Sequence, residues 1–151
     1  MTSPSPTRLP AAALSRDEGA EFLLPLPGSP RLLAGTRRDT RIALAGWRLP
    51  QEIADDALLV VSELISNAVL HALPPAALKV ARRRTATGGV LGVEVTDGGP
   101  AAARSASVPA SPDEHGRGLT IVRALSTDHG TRTEQDGSVT WWAELSAPWG
   151  E

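Results

Sequence analysis

Three short stretches of this sequence hold residues whose types and spacing suit chemistry. The first is Ser62-Glu63-Leu64-Ile65-Ser66-Asn67-Ala68-Val69-Leu70-His71. On a helix, Glu63, Asn67 and His71 stand at i, i+4 and i+8 and form one polar stripe. Leu58, Val61, Leu64, Ile65 and Ala68 are expected to cover the opposite side. A solvated face of an amphipathic helix gives the same pattern. One feature sets this stripe apart: no Lys or Arg occurs between Arg48 and Lys79, whereas solvated helix faces tend to carry them. An Asn amide oxygen is a hard neutral ligand suited to Mg2+. A Glu one turn earlier can take a proton from an attacking hydroxyl or water. His71 can contact a phosphate or cap the helix end.

The second stretch is Val93-Glu94-Val95-Thr96-Asp97-Gly98-Gly99-Pro100. Asp-Gly is favoured in turns, which is one reading of a carboxylate at a strand end. The other is purine recognition. A fixed carboxylate accepts a hydrogen bond from an exocyclic amine, as acidic side chains do on bases. Gly98 and Gly99 then let a flat ring approach the backbone. Adenine carries that amine at its six position and guanine does not, which favours ATP over GTP. The third stretch is His115-Gly116-Arg117-Gly118-Leu119. Read as the opening of a helix, its free backbone N–H groups and the helix dipole favour a phosphate. Read plainly, it is a flexible loop ahead of a helix, with Arg117 and Arg123 at the surface.

The rest of the chain must position these residues. A short apolar run, Glu21 to Leu26, reads as an edge strand. Ser29 and Pro30 read as an N-cap and first helical position, opening a helix to about Trp47 with Leu33, Ile42, Ala45 and Trp47 as its apolar residues. A second helix runs from near Pro50 to about His71-Ala72, with Glu52, Asp55 and Asp56 favourable to the dipole in its first turns. Leu78 to Arg82 and Val90 to Asp97 form a hairpin about Thr87-Gly88-Gly89. Residues 100–115 are expected as a long loop of the kind that carries function. A third helix follows from Gly116 through Leu125. Strands at about 128–134 and 138–145, joined at Asp136-Gly137, complete an α+β arrangement.

The 151 residues fit one domain, with 1–20 as a disordered tail, 21–147 as the folded unit and 148–151 as a second tail. With no cysteine there is no disulfide, thiolate metal site or cysteine nucleophile. A net charge of -2 gives no basic footprint for nucleic acid or an acidic membrane. No apolar window approaches a membrane span, and a cytoplasmic location is expected.

In order and separation the three stretches resemble the boxes of the histidine-kinase-like ATPase superfamily. Glu63-x-x-x-Asn67 is similar to its asparagine box, Asp97-x-Gly99 to its first glycine box, and Gly116-x-Gly118-Leu119 to its second. Val60-Val61-Ser62-Glu63-Leu64, Gly116-Arg117-Gly118-Leu119 and the ending Val139-Thr140-Trp141-Trp142-Ala143-Glu144-Leu145 look most like the anti-sigma factor serine/threonine kinases. The second glycine box lacks the further glycine of many sensor kinases, and no phosphoacceptor-histidine helix pair is present, which argues against a complete sensor kinase.

The resemblance implies a two-layer α/β sandwich, a mixed and mostly antiparallel sheet backed by helices, with residues 100–115 as a lid over ATP. It implies Asn67 holding Mg2+, Glu63 as general base and Asp97 on the adenine amine. Gly99, Gly116, Arg117, Gly118 and Leu119 line the nucleotide, with His71 near a phosphate. It further implies a kinase that phosphorylates an antagonist (anti-anti-sigma) protein and sequesters a sigma factor, with a homodimer as the usual state. A non-catalytic nucleotide-binding interaction module and a simple ATPase remain open from the residues alone.

Overall fold

The structure, a computed structural model, describes residues 19–86, 88–100 and 112–147; in its third helix, side chains are described from Leu119 onward. Alternation of apolar and polar residues forms the centre of the sheet. In β3 (Val90–Asp97), Leu91, Val93, Val95 and Asp97 are buried in strict alternation with half-buried neighbours, as the pleat requires. β2 (Ala77–Arg83) pairs antiparallel with it across the Gly88-Gly89 turn, placing Val80 opposite Val93. β5 (Val139–Ser146) pairs on the other side, with Ala143 opposite Val93 and Val139 opposite Asp97. β1 (Ala20–Pro25) and β4 (Asp128–Thr133) are the edges of a five-stranded sheet ordered β1-β2-β3-β5-β4.

Every pairing is antiparallel. The α+β sandwich therefore stands, and among the described residues the sheet that was expected to be mixed has no parallel pair. β1 begins at Ala20, opposite Arg82, one residue inside the expected tail; the rest of that tail, up to residue 18, and residues 148–151 lie outside the described residues. Gly137, with φ of 92°, turns β4 into β5. Asp136 Oδ1 accepts from the Ser138 N–H at 2.9 Å and its hydroxyl at 2.7 Å, and these bonds hold the Asp136 carboxyl below its usual range.

Ser29 caps a single 3-10 turn, Pro30–Leu32, its side chain accepting from the Arg31 N–H. α1 (Leu33–Gly46) continues from it and buries Leu33, Thr36, Thr40 and Leu44. Of the apolar residues read for this helix, Leu33 is buried and Trp47 half-buried, whereas Ile42 and Ala45 are exposed. Two threonines serve instead because Thr40 returns its hydroxyl to the Thr36 carbonyl at 2.8 Å, which satisfies the buried polar group within the helix. Arg82, buried on β2, donates to the Trp47 carbonyl at the C-terminus of α1 at 2.6 Å, where a cation suits the dipole. Burial and the nearby Arg84 lower its pKa.

α2 (Gln51–His71) follows Pro50 and buries Ala57, Val60, Val61, Leu64, Ile65 and Ala68. It packs on β3 and β5 with α1 and α3 (Pro112–Leu125) on its flanks. The core lies between this helix layer and one face of the sheet. Among the described residues, no helix is long and apolar enough to cross a membrane.

Candidate functional site

α2 ends because Ala72 turns to extended backbone, φ -123° and ψ 169°, ahead of Pro74-Pro75. The freed segment runs back along the end of β3. Leu73 donates its N–H to the Gly99 carbonyl at 2.8 Å, Gly98 donates to the Leu73 carbonyl at 2.6 Å, and Ala72 bridges Pro100. The end of the helix carrying Asn67 and His71 is thereby stitched to the end of the strand carrying Asp97. Asn67 stands five residues before Ala72, about 7 Å along the helix axis.

Glu63, Asn67 and His71 are half-buried. At about 100° per residue, the stripe runs along the border of the buried face. Asn67 adjoins Ala68 and follows Leu64 by three residues, both buried. The expected placement opposite the apolar side is thus corrected to its edge, and Leu58 is half-buried rather than part of the buried set. The edge position leaves these polar groups beside the sheet-facing surface and open to solvent on one side.

Asp97 is only 2% exposed. Its Oδ1 accepts from the Gly99 N–H at 2.8 Å, and Trp141 stands diagonally across β5 from it, two residues past Val139, the residue opposite Asp97. Burial raises the pKa of this carboxyl, opposed by hydrogen bonding from the Gly99 N–H and from the Trp141 side chain. A carboxylate offers about four acceptor positions; the Gly99 N–H occupies one, and the group retains capacity for further donors.

Gly98 and Gly99 serve this junction. A Cβ on Gly98 would lie 2.6 Å from the Pro74 carbonyl oxygen and 2.7 Å from that of Leu73. Gly99 has φ of 101°, and a Cβ there would lie 2.8 Å from the Gly137 carbonyl oxygen. The turn and the helix end interlock through bare backbone, so the glycines are explained by the fold before any ring approaches them.

The Gly116–Gly118 stretch does not open α3. The helix starts at Pro112, so Gly116 and Gly118 lie past its first four residues, where backbone N–H groups bond within the helix. Leu119 is half-buried and Val122 buried. Of the expected lid, Pro100 is in the bridge to Ala72, residues 112–115 are helical, and 101–111 lie outside the described residues.

Two features escaped the sequence reading. Trp141 is packed against the core beside Asp97. Thr96 and Thr140, opposite each other on β3 and β5, share a 2.7 Å hydroxyl contact, with Thr140 also 2.9 Å from Glu134. The alternation of β5 could have indicated that Trp141 and Trp142 face opposite sides, but not which one faces the helices. A hollow of about 520 Å3 on the other face of the sheet is lined by Lys79, Glu94, Arg132 and Trp142. It lies across the sheet from Asp97 and is separate from the site.

The residues present fit a nucleotide with its metal in two respects: a buried acceptor with spare capacity, and a half-buried amide on the helix whose end is tied to that strand. Among the described residues, no cluster of three or more His, Asp or Glu forms a metal cage. Mg2+ bound through nucleotide phosphates, waters and one protein oxygen needs no such cage.

A helix layer on an antiparallel sheet, with an Asn-bearing helix tied to an Asp-Gly-Gly strand end, defines an α+β sandwich class of domain. Residues 26–143 match the family described as the histidine kinase-like ATPase domain, and the chain belongs to that family. The fold is similar to a crystal structure of the RsbU and RsbW domains of Rv1364c from Mycobacterium tuberculosis, with a TM-score of 0.60 and 18% sequence identity. The match covers 84% of this chain and 32% of that one, so the chain corresponds to about a third of that relative. No curated protein matches it in sequence at a significant level.

Proposed function

We propose that the chain is an ATP- and Mg2+-dependent serine/threonine kinase that acts as an anti-sigma factor, phosphorylating an antagonist protein and controlling transcription through a sigma factor. One observation carries this reading: the backbone junction at Leu73, Gly98 and Gly99 brings the Asn67–His71 end of α2 to a buried acceptor, Asp97. ATP binding itself follows from the family; the transfer step and the partners rest on the resemblance of the three boxes.

Asp97 accepts from the adenine amine, and Gly99 borders the ring. The Asn67 amide oxygen holds Mg2+, with His71 near a phosphate. Gly116, Arg117, Gly118 and Leu119 line the phosphates. Glu63, one turn before Asn67, takes the proton from the attacking serine hydroxyl. The functional unit is residues 21–147, extended by Ala20 in β1, and it acts in the cytoplasm as a homodimer. Mg2+ supplies neutralisation of phosphate charge; the chain's own residues bind, orient and deprotonate.

The test is ATP affinity by calorimetry with and without Mg2+, followed by transfer of label from ATP to candidate antagonist proteins. Asp97→Asn is expected to weaken ATP at least tenfold, and Asn67→Ala to remove the Mg2+ dependence. Unchanged affinity in Asp97→Asn removes the purine assignment. Label on a serine supports the kinase.

A second reading is favoured by α3. Its start at Pro112 engages the Gly116 and Gly118 N–H groups within the helix rather than leaving them for phosphate. That suits a non-catalytic module regulating by contact. Complex formation without label transfer supports it, and phosphate release without an acceptor supports a simple ATPase.

A further inference from the structure

Within the nucleotide reading just given, on which this inference rests, one aromatic side chain is unassigned. Trp141 stands on β5 opposite Val95, and Asp97 opposite Val139. Trp141 and Asp97 are therefore diagonal neighbours on one face, within the reach of a large side chain. That face is the helix-covered one: Val95 and Ala143 are fully buried there, and Trp141 packs against the same cluster. Its successor Trp142 lies on the other face over Gly130, at 2.9 Å from where a Cβ would be, and has no part in the site.

We infer that Trp141 is a specificity-determining positioning residue for the purine: its indole N–H aims the Asp97 carboxylate, and its ring lies beside the base that this carboxylate accepts. Indole nitrogen is a donor only, so it can hold the ionised carboxylate and cannot compete as an acceptor for the adenine amine. An amine bonded to Asp97 sits about 3 Å from the carboxylate. An indole that reaches the same group from the diagonal position on β5 is then close enough to touch the base. Trp141 is half-buried where Asp97 is buried, so it presents the aromatic surface available next to the acceptor. Aromatic contact with a base is tolerant of base identity; aiming the carboxylate is not, because inosine triphosphate carries no amine for it.

Two measurements test this. In the nucleotide-free full chain, the 1H–15N indole cross-peaks of its four tryptophans are assigned by single Trp→Phe variants. Asp97→Asn is expected to move the Trp141 peak, and Asp136→Asn, at the β4–β5 turn, to leave it in place. Trp141→Phe keeps an aromatic packed against the core and removes the N–H. It is expected to weaken ATP about tenfold and inosine triphosphate far less, and to cause no further loss of ATP affinity in an Asp97→Asn background. A purely structural role would weaken both nucleotides equally. An unmoved indole peak in Asp97→Asn, or an unchanged preference for ATP over inosine triphosphate in Trp141→Phe, overturns the inference while the purine assignment stands. A wild-type chain that binds no ATP overturns both.

Discussion

Asp97 is an acid whose ionised form the fold disfavours, and that is its most informative property. Burial raises its pKa above the ordinary carboxylate value, against the pull of the Gly99 and Trp141 hydrogen bonds. A carboxyl whose folded-state pKa lies above its unfolded one stabilises the fold when protonated, and that contribution is lost as pH rises through the folded-state pKa. At neutral pH the ionised group therefore costs stability. Asp97→Asn, which keeps an oxygen for the Gly99 N–H, is expected to raise the melting temperature at pH 7, with the gap closing as pH falls into the ordinary carboxylate range. Thermal denaturation of both proteins across pH 4 to 8 checks this; a variant less stable at pH 7, or a gap that widens on acidification, rejects it. The sequence made the residue legible, because an acid ending an apolar strand before two glycines is unusual. It did not show why the glycines were there. Gly98 and Gly99 respond to carbonyls of Leu73, Pro74 and Gly137, contacts distant in sequence and visible only in three dimensions.

Elements were legible where periodicity was strong and failed where a polar residue replaced an apolar one. β3 runs from Val90 to Asp97 as its alternation indicates. α1 buries Thr36 and Thr40 and exposes Ile42, since a hydroxyl bonded within its own helix can be buried at little cost. The beginning of α3 was misplaced because Gly116 and Gly118 have low helix propensity, yet the chain is helical from Pro112, a residue well suited to a first turn. For α2, the placement of the stripe at the border of the buried face has a direct check. Ile65 is fully buried and Leu70 is 58% exposed, although both are large aliphatics on one helix. Ile65→Ala is expected to cost about 2–5 kcal/mol and Leu70→Ala within about 0.5 kcal/mol, read from urea midpoints at constant slope. Similar costs for both would put the polar stripe on a different face from the one described.

For the whole molecule, composition and charge excluded nucleic acid and disulfide scaffolds without saying what the chain binds. Convergence of the site arises from connectivity. A helix and a strand separated in sequence by β2 and its turn share one backbone junction, so anything bound between them engages both and ties their stability to its own affinity. A ligand that binds only the native state adds RT ln(1 + [L]/Kd), about 2.7 kcal/mol at one hundred times Kd. For a chain of this size that corresponds to a rise of roughly 5–10 °C. ATP with Mg2+ at that excess is thus expected to raise the melting temperature by this amount in the wild type, and inosine triphosphate at the same concentration by much less. Asp97→Asn separates stability from binding: it is expected to begin from a higher melting temperature and to gain little from ATP. Equal ATP shifts in the two proteins would show that the nucleotide is held away from the α2–β3 junction, and a shift in neither would show that this chain has kept the fold of its family without the nucleotide.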